Sequence, residues 1–169
     1  VVFHGVASAG GAVTTINPTY TAAEVGNQLR DAGATMLVTV GPFVDLALAA
    51  ADGTAVEQIH VIGPVPDGAP ERVRPLSELM GAPLAEPVAV DPDDVVVLPY
   101  SSGTTGMNKG VMLTHRNLIA NIAQVVGPAE LAEDETLIAV LPFFHIYGMQ
   151  VIMNCGLRIG TTVITMPRF

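Results

Sequence analysis

The order of apolar and polar segments predicts an α/β protein, with a mostly parallel sheet and flanking helices. Short β-rich runs alternate with helical patterns along most of the chain, as crossover connections of a parallel sheet require. One of those runs, Val95-Val96-Val97-Leu98, is apolar throughout and β-branched at three positions, the pattern of a strand buried on both faces. Half of the 169 residues are hydrophobic, enough for a sizeable core, and no repeat of fixed period is present.

Val1 to Gly11 is small and apolar and reads as the tail of a packed helix; Ala12 to Ile16 reads as a strand stopped by Asn17-Pro18. Thr21-Ala22-Ala23-Glu24 has the form of a capping box, in which the Thr21 hydroxyl and the Glu24 carboxylate each satisfy a free backbone N–H. The helix it starts carries Val25, Leu29 and Ala32 on one face and stops at Gly33. Thr35 to Val40 is the next strand. Gly41-Pro42 opens a second helix through about Ala51 with Phe43, Leu46, Ala47 and Ala50 turned inward, and Ile59 to Ile62 is a further strand.

Six of the 13 prolines lie between Pro64 and Pro87, which excludes a central strand or a long helix and predicts an irregular surface connection over 64–94. Beyond the valine-rich strand, Thr114 is the N-cap of a helix from about His115 to Val126, with Leu118, Ile119, Ile122, Val125 and Val126 on one stripe. A strand over Thr136 to Leu141, a helix over about Met149 to Leu157 and a strand over Thr161 to Met166 follow. The implied division is a first α/β subdomain over residues 1–128 and the start of a second over residues 129–169.

The chemistry begins where the valine-rich strand ends. Tyr100-Ser101-Ser102-Gly103-Thr104-Thr105-Gly106-Met107-Asn108-Lys109-Gly110 combines three glycines, four aliphatic hydroxyls and one lysine. Such a loop can aim consecutive backbone N–H groups at an anion, with hydroxyl donors and a compact ammonium added. The commonest phosphate loop is excluded, because Gly103 and Gly106 are too close and a glycine, not Ser or Thr, follows Lys109. A second group of chemistry-bearing residues, Leu141-Pro142-Phe143-Phe144-His145-Ile146-Tyr147-Gly148, follows the loop by about 35 residues. In open α/β sheets both would fall at the carboxyl ends of strands, where ligands bind.

The loop resembles the signature of the adenylate-forming superfamily, the acyl-CoA and aryl-CoA ligases, luciferases and adenylation domains of peptide synthetases. There it reads approximately Tyr-Ser-Ser-Gly-Thr-Thr-Gly, two variable positions usually ending in proline, then Lys-Gly-Val. This chain departs only at Asn108, which frees the backbone before Lys109. The segment Leu141 to Gly148 is similar to the family's next stretch, which lines the acyl pocket. Its wording, with Gly11 to Tyr20, is most like 4-coumarate:CoA ligases and their bacterial relatives. Amino-acid-activating members typically carry an aspartate here for the substrate ammonium; no acid lies between Phe143 and Phe169.

The resemblance implies part of the large N-terminal domain of an ATP-dependent carboxylate–CoA ligase, with ATP, Mg²⁺ and CoA as the molecules it uses and an aromatic acid such as 4-coumarate as substrate. It assigns Ser101, Ser102, Gly103, Thr104, Thr105, Gly106 and Lys109 to the ATP phosphates, and His145 and Tyr147 to the acyl and adenylate pocket. It assigns no catalytic residue and no metal ligand in these 169 residues. Both ends read as cut, so the expectation is an inactive portion of a ligase whose unpaired edges would let copies associate. A non-catalytic nucleotide-binding module, or a structural or interaction fragment, is the alternative.

Seven Lys and Arg against 16 Asp and Glu give a net charge of −9, which repels polyanions and leaves no electrostatic basis for nucleic-acid binding. The apolar runs fall well short of the roughly 20 residues that span a membrane, so no membrane partner and a cytoplasmic location are expected. Cys155 stands alone and reads as a buried apolar thiol; His4, His60 and His115 follow no metal spacing.

Overall fold

The computed structural model describes all residues except 84, 85, 87, 103–107, 130, 131 and 167–169. In chain order its elements are α1 (Val2–Ser8), α2 (Ala22–Ala32), β1 (Met36–Val40), α3 (Val44–Ala51), β2 (Gln58–Ile62), β3 (Val73–Pro75), β4 (Val95–Val97), β5 (Tyr100–Ser102), β6 (Asn108–Gly110), β7 (Leu113–Thr114), α4 (His115–Ala129), β8 (Thr136–Ala139), α5 (Cys155–Ile159) and β9 (Thr162–Thr165). The α/β class with parallel pairing and flanking helices holds. Contacts gather into two units, one of Val1–Asn17, Val88–Ser101 and Val111–Phe169, the other of Pro18–Pro87 and Ser102–Gly110.

The second unit is built on the parallel sheet β1-β2-β3, in which Leu37 pairs with Ile59 and Ile59 with Val73. Helix α2 begins with the expected capping box: Thr21 N–H donates to Glu24 Oε2 at 2.7 Å and Thr21 Oγ1 accepts from Glu24 N–H at 3.4 Å. Gly33 ends it in the left-handed conformation, φ 61°. Val25, Leu29, Val44, Ala47, Ile59 and Val61 are buried between the helices and the sheet.

Two expectations are corrected in this unit. Gly41–Phe43 forms a 3-10 turn before α3, which offsets the helix face, so Val44, Ala47, Ala50 and Ala51 are buried while Phe43 is 38% exposed. Residues 64–94 are not irregular throughout. Val73–Pro75 pairs with β2 at the end of the three-strand order, where a proline is tolerated because, among the described residues, one side of the strand has no ladder to feed. His60 lies buried on β2 with Nε2 3.1 Å from Gln58 Oε1.

In the first unit β4 lies at the centre, with Val96 and Val97 buried against Leu118 and Met149. Its partner is not the expected parallel strand. It pairs antiparallel with β7, Val95 opposite Thr114 and Val97 opposite Leu113, and on its other edge makes a parallel bridge to Val13. The expected strand over Ala12 to Ile16 reduces to that bridge, and the hydroxyls of Thr14 and Thr15 next to it donate to carbonyls of other segments. Helix α4 is capped by reciprocal bonds between Thr114 and Asn117 and runs three residues beyond Val126 to Ala129. Leu118 on it is buried, but Ile119 is 65% exposed.

Strands β8 and β9 pair in parallel, with Leu137 opposite Val163. Between them the chain forms a π-helix over Gly148–Asn154 that continues into α5, where an ordinary α-helix was expected. A chain of polar side chains runs through it: His4 Nε2 donates to Asn154 Oδ1 at 3.0 Å, Asn154 Nδ2 to Gln150 Oε1 at 2.8 Å, and Gln150 Nε2 to the Leu118 carbonyl at 2.6 Å. The side-chain amides of Gln150 and Asn154 thereby each find partners. Cys155 is fully buried, as expected, and burial pushes its thiol up.

Helix α5 sits on the β8-β9 sheet at Gly156, where an added Cβ would come within 2.9 Å of Val163 Cγ2 and 3.3 Å of Leu137 Cδ1. Gly156→Val is expected to cost about 1–3 kcal/mol of stability through this overpacking. Urea unfolding checks it: the midpoint falls with an unchanged slope, and an unmoved midpoint would mean that the helix can lift off freely.

Candidate functional site

Strand β4 hands the chain through Leu98 and Pro99 to β5, and β6 returns it to β7. The base of this excursion is closed by Val111 N–H donating to the Pro99 carbonyl at 2.9 Å. Ser101 and Lys109 are exposed. Gly103, Thr104, Thr105 and Gly106 lie outside the described residues, and Ser102 is described only as part of β5.

The start of β4 is anchored separately. Asp91–Asp94 folds into a turn in which Asp91 N–H donates to Asp94 Oδ2 at 3.0 Å and Asp93 N–H to Asp91 Oδ1 at 2.8 Å. Backbone N–H groups of His115 and Arg116 then donate to the carbonyls of Asp94 and Pro92 at 3.2 and 2.8 Å. Arg116 forks onto Asp93, Nε to Oδ1 at 2.7 Å and Nη2 to Oδ2 at 3.1 Å. These hydrogen bonds hold the Asp93 carboxyl below the usual aspartate range and raise the guanidinium in turn.

After β8 the chain turns at Pro142 into the segment carrying His145 and Tyr147. His145 N–H donates to the Pro142 carbonyl at 3.1 Å, and Thr15 Oγ1 donates to the Phe144 carbonyl at 2.7 Å. Tyr147 N–H donates to His145 Nδ1 at 3.2 Å. With Nδ1 accepting, the neutral imidazole carries its proton on Nε2, so the exposed ring offers a donor. Tyr147 is 51% exposed and borders an open apolar cavity of about 460 Å³ with Val125, Ile138, Leu141, Val151 and Ile152. Phe143 and Phe144 are half-buried.

Sequence reasoning gave no role to Thr14 and Thr15, whose hydroxyls reach Leu98 and Phe144. Two adjacent β-branched hydroxyl residues just before Asn17-Pro18 are the signal that was there to be used. Among the described residues no three His, Cys, Asp or Glu side chains converge as metal ligands would. No helix among them is long and apolar enough to cross a membrane.

A profile of the AMP-binding enzyme family matches residues 1–169 from end to end. The chain belongs to the AMP-binding enzymes. It is 43% identical to 4-coumarate-CoA ligase 1 of Narcissus pseudonarcissus over 175 residues, covering 99% of this chain and 31% of that protein. ATP-bound MatB from Rhodopseudomonas palustris superposes on it with a TM-score of 0.81 at 29% identity, over 99% of this chain and 32% of the other. A long-chain-fatty-acid-CoA ligase from Archaeoglobus fulgidus gives 0.85 at 31% identity, over 99% and 33%. This member of the family thus spans about a third of the length of these relatives, with the fold of part of the adenylate-forming N-terminal domain.

The Arg116–Asp93 fork sets a pH dependence. A depressed aspartate stabilises the turn at pH values above the ordinary carboxylate range, and that contribution disappears as pH falls through the lowered value. A carboxyl-carbon NMR titration is expected to place Asp93 below the ordinary aspartate range, and Arg116→Ala to return it upward. Coincident titrations in the two proteins would remove the fork.

Proposed function

We propose that these residues form the phosphate-binding and acyl-binding portion of an ATP-dependent carboxylate–CoA ligase acting on an aromatic acid of the 4-coumarate type. The observation that carries this is the Tyr100–Gly110 loop, with its glycines, hydroxyls and Lys109, in a chain 43% identical to a 4-coumarate-CoA ligase. In the reaction a substrate carboxylate oxygen attacks the α-phosphorus of ATP, and the bond to the bridging oxygen breaks with release of pyrophosphate. The CoA thiolate then attacks the acyl carbon of the adenylate, and AMP leaves with the electrons of the carbon–oxygen bond.

Ser101, Ser102, Thr104, Thr105 and Lys109 take the β and γ phosphates, while Gly103 and Gly106 let the backbone approach. Attack between anions needs charge screening more than covalent help, which suits backbone donors and an ammonium. Magnesium fits as the counter-ion carried on the phosphates; such ions keep waters and substrate oxygens as ligands and need few from protein. His145 donates from Nε2 to the carboxylate, and Tyr147 with the apolar cavity beside it receives the ring of the acid. The absence of any acid from Phe143 to Phe169 disfavours a substrate ammonium. A cytoplasmic location belongs to the same reading.

A second reading, an interaction segment, rests on Ile138 and Ile164. They are paired across β8 and β9 and are 55% and 48% exposed, whereas parallel sheets are ordinarily covered on both faces. Concentration-dependent mass in sedimentation without any MgATP binding would favour it.

Lys109→Ala is expected to weaken MgATP binding to the chain, measured by calorimetry, by about 1.5–3 kcal/mol, or roughly ten- to a hundredfold. Equal affinities would remove the loop from the site. With 4-coumarate and CoA added, the 169-residue chain should form no thioester absorbance above the Lys109→Ala control, because the resemblance places the adenine, ribose and α-phosphate contacts in sequence beyond these residues.

Tyr147→Ala is expected to change the order of affinity among 4-coumarate, benzoate and a medium-chain fatty acid while MgATP affinity stays constant. An unchanged order would return Tyr147 to a packing role.

A further inference from the structure

We propose that Thr14 and Thr15 act as a two-sided hydroxyl bracket, Thr14 seating the root of the phosphate loop and Thr15 seating the turn that bears His145. The inference rests on the ligase reading for its functional consequence, and on geometry alone for the positioning itself.

The register of the bracket is set by the backbone. Val13 N–H donates to the Val96 carbonyl at 2.9 Å and Leu98 N–H to the Val13 carbonyl at 2.8 Å, so the N-terminal segment cannot slide along β4. Successive residues of an extended chain direct their side chains to opposite sides. One hydroxyl therefore meets β4's exit and the next meets a different segment: Thr14 Oγ1 donates to the Leu98 carbonyl at 2.8 Å, and Thr15 Oγ1 to the Phe144 carbonyl at 2.7 Å.

Each bond fixes one peptide plane. The plane between Leu98 and Pro99 has no N–H, so its carbonyl is its only hydrogen-bonding handle, and Thr14 takes it. The following carbonyl, of Pro99, is held by Val111 at 2.9 Å, so both carbonyls at the loop root are fixed. The plane between Phe144 and His145 is gripped at both ends, its oxygen by Thr15 and its N–H by the Pro142 carbonyl at 3.1 Å. That fixes the His145 backbone, and Tyr147 N–H at 3.2 Å from Nδ1 then fixes the ring. Thr14 and Thr15 are positioning residues: they act through Leu98 and Phe144.

The experiment compares Thr14→Val, Thr15→Val, Thr14→Ser and Thr15→Ser in the whole 169-residue chain. Valine keeps the shape and removes the hydroxyl; serine keeps the hydroxyl. Thr15→Val is expected to move the His145 ring signal in ¹H–¹³C NMR and to weaken 4-coumarate binding about fivefold, the loss of one ordinary hydrogen bond, with MgATP affinity unchanged. Thr14→Val is expected to speed hydrogen exchange of the Val111 amide and to weaken MgATP binding about fivefold, with 4-coumarate affinity unchanged. Both serine variants restore the parent values. Valine variants that move both probes together, or neither, overturn the bracket.

If the parent chain binds neither ligand, the ligase reading fails, and the His145 and Val111 signals still decide the positioning. Should a valine variant not fold, the parent's own hydroxyl protons decide: slow exchange at Thr14 and Thr15 supports the bracket, and exchange at the rate of free water-exposed hydroxyls overturns it.

Discussion

The first unit depends on satisfying both edges of a three-residue buried strand. Val96 and Val97 are 2% and 0% exposed, so the backbone of β4 has no water to turn to, and an unpaired buried peptide group costs about 1–3 kcal/mol. One edge is met by Val13 and the other by Leu113–Thr114. The second pairing has a geometric consequence. Because β7 follows the loop, pairing it with β4 brings the two ends of Tyr100–Gly110 together, and Val111 closes the base on Pro99. Helix α4 begins at the next residue, and its first two N–H groups fasten to the turn that starts β4. Glycine-rich segments have high backbone entropy, which closing the base reduces.

What could be read in the sequence was what local chemistry decides. The capping box at Thr21, the left-handed stop at Gly33 and the runs that became β1 and β2 each have a cause within a few residues. Pairing direction has no such cause. The apolar run at Val95 specifies burial but not whether its neighbour runs parallel, and that was decided by Leu113 on one side and a residue more than 80 positions upstream on the other. The edge strand at Val73 escaped because prolines exclude central strands and not edge ones. The π-helix escaped because its interior polar chain, from His4 through Asn154 and Gln150 to Leu118, joins three separate segments. At the candidate site the loop and the His145–Tyr147 segment were legible as motifs, whereas side-chain bonds to distant carbonyls, such as those of Thr14 and Thr15, carry no periodic signal.

An acidic chain can still bind a triphosphate. At a net charge of −9 the long-range field opposes a nucleotide, but at physiological ionic strength that field fades over about 8 Å, and capture depends on what lies within a contact or two. Several of the acids are occupied locally. Glu24 holds the start of α2, Asp91 and Asp94 fold a turn, and Asp93 is neutralised by the Arg116 fork. Their charge is used to build backbone, which makes the composition a poor guide to what the loop can hold.

On the proposed ligase reading, the acyl end poses a question of discrimination that turns on what each group can offer. A carboxylate needs donors; His145, accepting at Nδ1 from Tyr147 N–H, has its Nε2 proton to give. An ammonium needs an acceptor with negative charge, and from Phe143 to Phe169 the chain supplies none. The cavity beside Tyr147 is walled by aliphatic side chains, which reward apolar area and tolerate small differences in shape, since one methylene more or less is worth only about 1–3 kcal/mol in such a pocket. Under the proposed ligase function, a site of this composition would separate simple acids from amino acids sharply and one aromatic acid from another weakly. In that reading, finer selection among aromatic acids would fall to polar contacts, because an unmet polar group in an apolar wall discriminates more strongly than any change of size.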